Sequence, residues 1–128
     1  MANNRPWDFD EARAACRKAS RAQEAAEQGL KDAYIAAARA QESYRRALGD
    51  KILDLRADGL PATLCLDLSK GDERIASLRR EWDIAEGVKE AMQQNCWRHT
   101  ADRKDAQRFA DWSQRREMAE TGHLEPIG

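Results

Sequence analysis

The pair Cys96 and His99 is where side chains of suitable type and spacing could do chemistry. Residues three apart on a helix share a face, so a thiol and an imidazole would be neighbours there. They could begin a zinc site, but such a site needs three or four ligands and a paired helix would offer only Asp32. A nucleophilic thiol also needs a concave pocket, which two paired helices do not provide. We interpret both residues as half-buried packing residues and predict no enzyme activity, no metal and no cofactor.

A second candidate, for binding, is the segment 97–116, where basic and aromatic side chains are interleaved. It holds six Lys/Arg against three Asp, together with Trp97, Phe109 and Trp112. Basic groups hold phosphates and exposed rings stack on bases. The candidate nucleic-acid face comprises Arg17, Lys18, Arg21, Trp97, Arg98, Arg103, Lys104, Arg108, Arg115 and Arg116. The interpretation that we favour is instead that the rings are buried between helices and the arginines pair with acidic neighbours, so nucleic acid is the alternative partner.

The elements that position these residues are set by a break in the middle of the chain. Gly59 stands where a glycine in the left-handed conformation ends a helix, and Pro61 prevents continuation. Gly71 closes a short segment at residues 61–70, and Asp72 can cap the next helix. We expect this short segment to be buried through Leu64, Cys65, Leu66 and Leu68.

Before the break, small apolar residues recur at three- and four-residue steps. They are Ala12, Ala15, Ala19, Ala22, Ala26, Leu30, Ala33, Ala37, Ala40, Tyr44, Leu48, Ile52 and Leu55. This pattern predicts one helix over residues 9–58, begun by a capping box at Asp8 and Glu11. Gly29 and Gly49 each cost about 1 kcal/mol in a helix, and a break at Gly29 is the open alternative.

After the break, one apolar stripe predicts a helix over residues 73–119. Its members are Ile75, Leu78, Trp82, Ala85, Val88, Met92, Cys96, His99, Ala106 and Phe109. The predicted fold is all-α: one domain over residues 1–128, formed by a long antiparallel helical hairpin with a coiled-coil-like, alanine-rich seam, a short helix at the turn and a loose tail at 121–128. The predicted register places Trp82 against Gly49 and Tyr44 against Gly87, so that glycine makes room for a ring. The alternative is that these glycines are neutral surface positions.

Composition narrows the class of protein. Charged residues make up 35% of the 128 residues and hydrophobic residues 41%, which is typical of amphipathic helices. A net charge of −1 provides no global attraction to nucleic acid or membranes.

No apolar run approaches 18 residues, and the N-terminus lacks a secretion pattern, so we predict no membrane association. Three cysteines without framework spacing predict free thiols and a cytoplasmic location.

Several large apolar residues fall off the predicted seam. Ile35, Leu53, Ile84 and Trp112 would face outward on an isolated hairpin and form the candidate partner surface. Two hairpins packed as a four-helix bundle would bury them, which predicts a homodimer. The competing account is that the turn or the tail covers these residues in a monomer. The predicted function is a non-enzymatic protein-interaction module.

Residues 34–92 resemble small helical proteins of unassigned function that phages and prophages encode. The resemblance is carried by Tyr34, Ala40 and Tyr44, by the run at residues 55–64, and by the runs at 71–72 and 75–79. It implies a phage accessory or host-defence-modulating role in the cytoplasm of a bacterial host. It transfers no functional residues to this chain.

Overall fold

The computed structural model describes residues 8–120, and 94% of them lie in three helices, with no strand among them. The helices are α1 (Phe9–Ala57), α2 (Ala62–Lys70) and α3 (Glu73–Glu120). The predicted all-α class is confirmed. The expected bounds of 9–58, 61–70 and 73–119 each differ from these by no more than one residue at either end. The loose tail predicted at 121–128 lies outside the described residues.

Contacts divide the chain into two compact units. The first unit is Met1–Gln28 together with Gln94–Gly128, and the second unit is Gly29–Gln93. Helices α1 and α3 contribute to both units, and α2 belongs to the second. The single hairpin domain stays a prediction.

Aspartate side chains cap the N-termini of both long helices. The backbone N–H of Glu11 donates to Asp8 Oδ1 at 2.8 Å, as the capping-box spacing predicts. The N–H groups of Arg74 and Ile75 donate to Asp72 Oδ1 at 3.0 and 3.2 Å. Each carboxylate thus accepts from backbone donors that have no partner within the helix.

Gly59 ends α1 in the left-handed conformation that its position predicts, with a φ of 89°. Its N–H donates to the carbonyl of Arg56 at 3.0 Å, and the N–H of Leu60 donates to the carbonyl of Leu55 at 3.2 Å. This pair of bonds is the Schellman motif. Pro61 follows with a φ of −60° and precedes the first residue of α2, so the chain leaves α1 and enters α2 within four residues.

Most residues on the inner face of α1 are alanines. All residues of the predicted apolar stripe on α1 are buried or half-buried. The fully buried ones are Ala12, Ala26, Ala33, Ala37 and Tyr44. An alanine buries a single methyl group, so this seam lets another helix approach closely and supplies little apolar area.

Helix α1 runs without a break through Gly29 and Gly49. A Cβ at Gly29 would meet Met92 Sδ at 3.6 Å, an ordinary contact, whereas Gly49 and Gly87 have nothing within 4 Å. The predicted placement of Trp82 against Gly49 and of Tyr44 against Gly87 is therefore wrong. The alternative, that both glycines occupy surface positions, is correct, since both are exposed.

The two rings instead face each other, because the register differs from the predicted one by more than a helical turn. The ring centroids of Tyr44 and Trp82 are 5.5 Å apart, which pairs Tyr44 with a position five residues before Gly87. The first turn of α3 is also level with α1 at Lys51, whose Nζ lies 3.8 Å from Asp72 Oδ2. The segment that contains α2 therefore brings the start of α3 back beside Lys51. As a result, residues that face each other on α1 and α3 are not equally distant from the turn.

Helix α2 does not bury its leucines, contrary to expectation. Its buried residues are Cys65 and Ser69. Leu64, Leu66 and Leu68 are exposed by 43%, 39% and 47%. Alternating residues share a face only in a strand; in a helix the inner face recurs every four residues, which selects Cys65 and Ser69.

Helix α3 departs from the predicted stripe at two positions, because Val88 and Phe109 are both exposed. Near the C-terminus the buried residues are Cys96, Ala110 and Ser113. At Phe109 the prediction selected the larger of two neighbouring residues, whereas the smaller Ala110 is the buried one.

Alanine substitutions at Gly49, within α1, and at Gly59, which follows its C-terminus, should have opposite effects on the free energy of unfolding. Gly59→Ala is expected to destabilise the fold by about 1–2 kcal/mol, because an L-residue is penalised at positive φ. Gly49→Ala is expected to stabilise it by about 1 kcal/mol, because the added methyl has open space and favours the helix. Urea unfolding of both variants measures this, and shifts of the same sign would contradict the described backbone.

Ser69→Ala is expected to stabilise the protein. The Ser69 hydroxyl is fully buried and has no hydrogen-bond partner among the described residues. Burying an unsatisfied hydroxyl costs about 1–3 kcal/mol, and alanine removes that cost with a small loss of volume. Thermal unfolding checks this against exposed Ser20→Ala as the control. A lower midpoint for Ser69→Ala alone would show that the hydroxyl has a partner.

Candidate functional site

Cys96 and His99 lie in the first unit, where Cys96 is buried and His99 is half-buried. Gln23 of α1 donates to Thr100 Oγ1 at 3.1 Å, and Thr100 Oγ1 donates to the carbonyl of Cys96 at 2.9 Å. In residues 8–120 no three His, Cys, Asp or Glu side chains are grouped to hold a metal ion. Cys16, Cys65 and Cys96 are all free thiols.

In the second unit an arginine and two aromatic rings join α1 to α3. The guanidinium of Arg79 lies 4.3 Å from the ring centroid of Trp82 and 5.5 Å from that of Tyr44. A cation over a ring face is attracted to the negative face of the π-system. Tyr44 is buried and Trp82 half-buried, so this cluster is part of the packing between the helices.

Glu86 and Lys89 extend the same network along α3. Glu86 accepts hydrogen bonds from Trp82 Nε1 at 3.2 Å and is 2.8 Å from Lys89 Nζ. The hydrogen bond from Lys89, followed by that from Trp82, lowers the pKa of Glu86, and the same bond to Glu86 raises the pKa of Lys89. Lys89 Nζ also lies 4.9 Å from the ring centroid of Tyr34 on α1. The pair thus bridges the two helices.

A depression of about 720 Å³ in the second unit is lined by side chains of both charges. Arg46 pairs with Glu42 at 2.7 Å, and Lys51 pairs with Asp72 at 3.8 Å. The lining charges largely compensate one another, so the depression favours neither an anion nor a cation.

The four residues of the predicted partner surface are all exposed, but they do not form one patch. Ile35, Leu53 and Ile84 belong to the second unit, where they are exposed by 45%, 68% and 64%, and Trp112 belongs to the first. Ile35 and Leu53 share a face of α1, but they are five turns apart, about 27 Å.

Ile84 has apolar neighbours on its own helix that the sequence reading did not include. Gly87, Val88 and Ala91 follow it at spacings of three, four and seven residues, and all are exposed. That spacing defines one face of a helix. We call this set the Ile84 stripe. It combines two branched side chains with two small residues and contains no charge, so another helix could approach it closely.

All ten residues of the predicted nucleic-acid face are exposed and lie in the first unit. The favoured interpretation, in which the aromatic rings are buried, is wrong: Trp97, Phe109 and Trp112 are exposed by 64%, 57% and 45%. Of the acidic partners that this interpretation expects for the arginines, Glu24, Glu27 and Asp105, the structure pairs Asp105 with Arg108 at 3.6 Å. Arg116 pairs with Glu120 at 3.1 Å, which was not among them.

The ten residues do not share one face. Arg103 is exposed, but it falls midway between buried Cys96 and Ala110 at seven-residue spacing, so it lies on a different face of α3 from Trp97 and Trp112. Arg17, Lys18 and Arg21 are on α1. The residues that lie together on the outward side of α3 are Trp97, Arg98, Arg108, Phe109, Trp112, Arg115 and Arg116. The ten predicted residues do not include Phe109, because the sequence pattern placed it in the apolar stripe of α3. The small residues Ala106, Ala110 and Ser113 at helical spacing mark the buried side and could have shown that Phe109 faces outward.

No helix within residues 8–120 combines the length and the apolar character needed to cross a membrane. Comparison of the chain with models of protein families, with curated proteins and with solved structures gives no match.

Proposed function

We propose that this protein is a non-enzymatic interaction module that presents a helical surface to another protein, and that the Ile84 stripe is its binding surface. One observation carries this proposal: in the second unit far more large apolar side chains are exposed than buried, and the others are half-buried. Its exposed large residues are Tyr34, Ile35, Leu53, Leu64, Leu66, Leu68, Ile84 and Val88. Its buried residues include only two large ones, Tyr44 and Ile75. Exposed apolar residues grouped on a helix face are typical of an interface.

The scaffold of the proposal is an antiparallel, coiled-coil-like hairpin of α1 and α3. Contacts within the second unit support it, because residue numbers on α1 fall as those on α3 rise. The pairs are Lys51 with Asp72, Tyr44 with Trp82, Tyr34 with Lys89 and Gly29 with Met92. The alanine seam allows the close approach that such packing needs.

The first candidate for the partner is a second copy of this chain. Two Ile84 stripes related by a twofold axis would pack two hairpins into a four-helix bundle. Burying an isoleucine or valine side chain contributes about 1.5–3 kcal/mol, so covering the Ile84 stripe with another helix is energetically favourable. The proposal includes a phage or prophage accessory role in the cytoplasm of a bacterial host, which the resemblance over residues 34–92 supports.

The substitution Ile84→Asp tests the surface. Sedimentation equilibrium of the wild type at micromolar concentration is expected to give about twice the chain mass of 14.5 kDa. Ile84→Asp is expected to sediment as a monomer while its helical circular dichroism is unchanged, because a charge in the stripe must be desolvated without a partner. Ala25→Asp, an exposed position in the first unit, is the control and should leave the mass unchanged.

A wild-type mass near 14.5 kDa would reject the second copy as partner. Affinity capture from bacterial lysate with wild-type and Ile84→Asp baits then tests a foreign partner. Equal capture by both baits would show that the Ile84 stripe is not the binding surface.

A further inference from the structure

We propose that the outward face of α3 in the first unit binds single-stranded nucleic acid, with Phe109 and Trp112 stacking on bases and neighbouring arginines holding phosphates. This face is defined by Trp97, Arg98, Arg108, Phe109, Trp112, Arg115 and Arg116. It lies in a different unit from the Ile84 stripe, and the proposal does not rest on the proposed protein interaction.

Three exposed aromatic rings on one helix face are the first observation. Trp97, Phe109 and Trp112 all point away from the seam, because Ala110 and Ser113 occupy the inner positions next to them. Phe109 and Trp112 line a shallow depression together with Asp105 and Arg108. Exposed rings are stacking platforms for unpaired bases, and each stacked base contributes about 1–3 kcal/mol.

The arginines next to the rings are the second observation. The Arg116 guanidinium lies over the ring of Trp112, 5.4 Å from its centroid, so a cation and a ring lie side by side on this part of the face. Arg98 and Arg115 make no ion pair within residues 8–120. Asp105 is the acidic residue in the depression and lies 3.6 Å from Arg108. Asp105 pairs with Arg108 and Glu120 pairs with Arg116 at 3.1 Å, which leaves Arg98 and Arg115 to make this face cationic, although the whole chain carries a net charge of −1.

The neutrality of the chain favours a single strand over a duplex. A duplex is held mainly by its phosphates, so its binding requires a strong positive field, which this protein lacks. Stacking requires unpaired bases and is short-ranged, so rings with a few local arginines suffice for a single strand. Trp97 and Trp112 are 15 residues apart, about 22 Å along the helix, which accommodates several nucleotides.

Fluorescence anisotropy with labelled oligo-dT and oligo-rU of about 15 nucleotides tests the proposal. Wild type should bind both, with a log–log salt slope of about −3 if four arginines contact phosphates. Trp112→Ala should weaken binding at least about fivefold, and Trp112→Phe should keep most of it. Arg98→Gln and Arg115→Gln should each reduce the slope by about 0.7. Asp105→Asn should strengthen binding, because it frees Arg108.

Arg45→Gln is the matched control, because Arg45 is an exposed arginine on α1 in the second unit. It should leave affinity and salt slope unchanged, and Ile84→Asp should also bind the oligonucleotides as the wild type does. Absence of oligonucleotide binding by the wild type would overturn the proposal. An equal loss of oligonucleotide affinity with Arg45→Gln and Arg115→Gln would also overturn the proposal, because it would show that the oligonucleotide is attracted to positive charge anywhere on the protein. Polyglutamate that competes as well as unlabelled oligo-dT would assign the face to an acidic protein segment instead.

Discussion

The small size of the buried residues of α1 is the constraint on which the rest of the structure depends. Four of the five buried residues of this helix are alanines. Helices that meet through alanines lie close together, so little volume remains between them for larger side chains. Within residues 8–120, Tyr44 and Ile75 are the large apolar residues that are buried, and the others are half-buried or exposed. The exposed surface of this protein is therefore a consequence of the way its core is built.

A seam of methyl groups contributes little hydrophobic stabilisation, and polar–aromatic contacts supplement it in the second unit. Arg79 lies over the rings of Trp82 and Tyr44, and Lys89 joins Glu86 to the ring of Tyr34. Each exposed cation–π contact contributes about 0.5–1 kcal/mol. These contacts also fix the register of α1 against α3, which interchangeable alanines do not specify.

The features that the sequence predicts well are local ones. Asp8, Gly59 and Asp72 act on backbone groups within a few residues, so the helix bounds follow from short spacings. The α1 stripe repeats over so many turns that its face is unambiguous. The register depends instead on how α2 returns the chain, and the periodicity of α1 and α3 contains no information about that.

The buried faces of α2 and of the C-terminal part of α3 were predicted wrongly, because local pattern alone does not fix them. The alternating leucines of α2 resemble a strand pattern, and nine residues provide too few turns to fix the inner face. Phe109 was assigned to the seam on hydrophobicity, yet the seam selects Ala110 for its size. The candidate surfaces were therefore only partly predictable: Ile84 and Trp112 were predicted to face outward, whereas Val88 and Phe109 were predicted to lie in the buried stripe and are exposed in the structure.

The free energy of unfolding of two variants tests the central claim that small residues form the core and large ones the surface. Ala37 is 3% exposed in the seam, and Leu53 is 68% exposed on the same helix. Overpacking by Ala37→Leu should cost about 1–3 kcal/mol. Leu53→Ala should change stability by no more than about 0.5 kcal/mol. A stabilising Ala37→Leu together with a strongly destabilising Leu53→Ala would contradict the account.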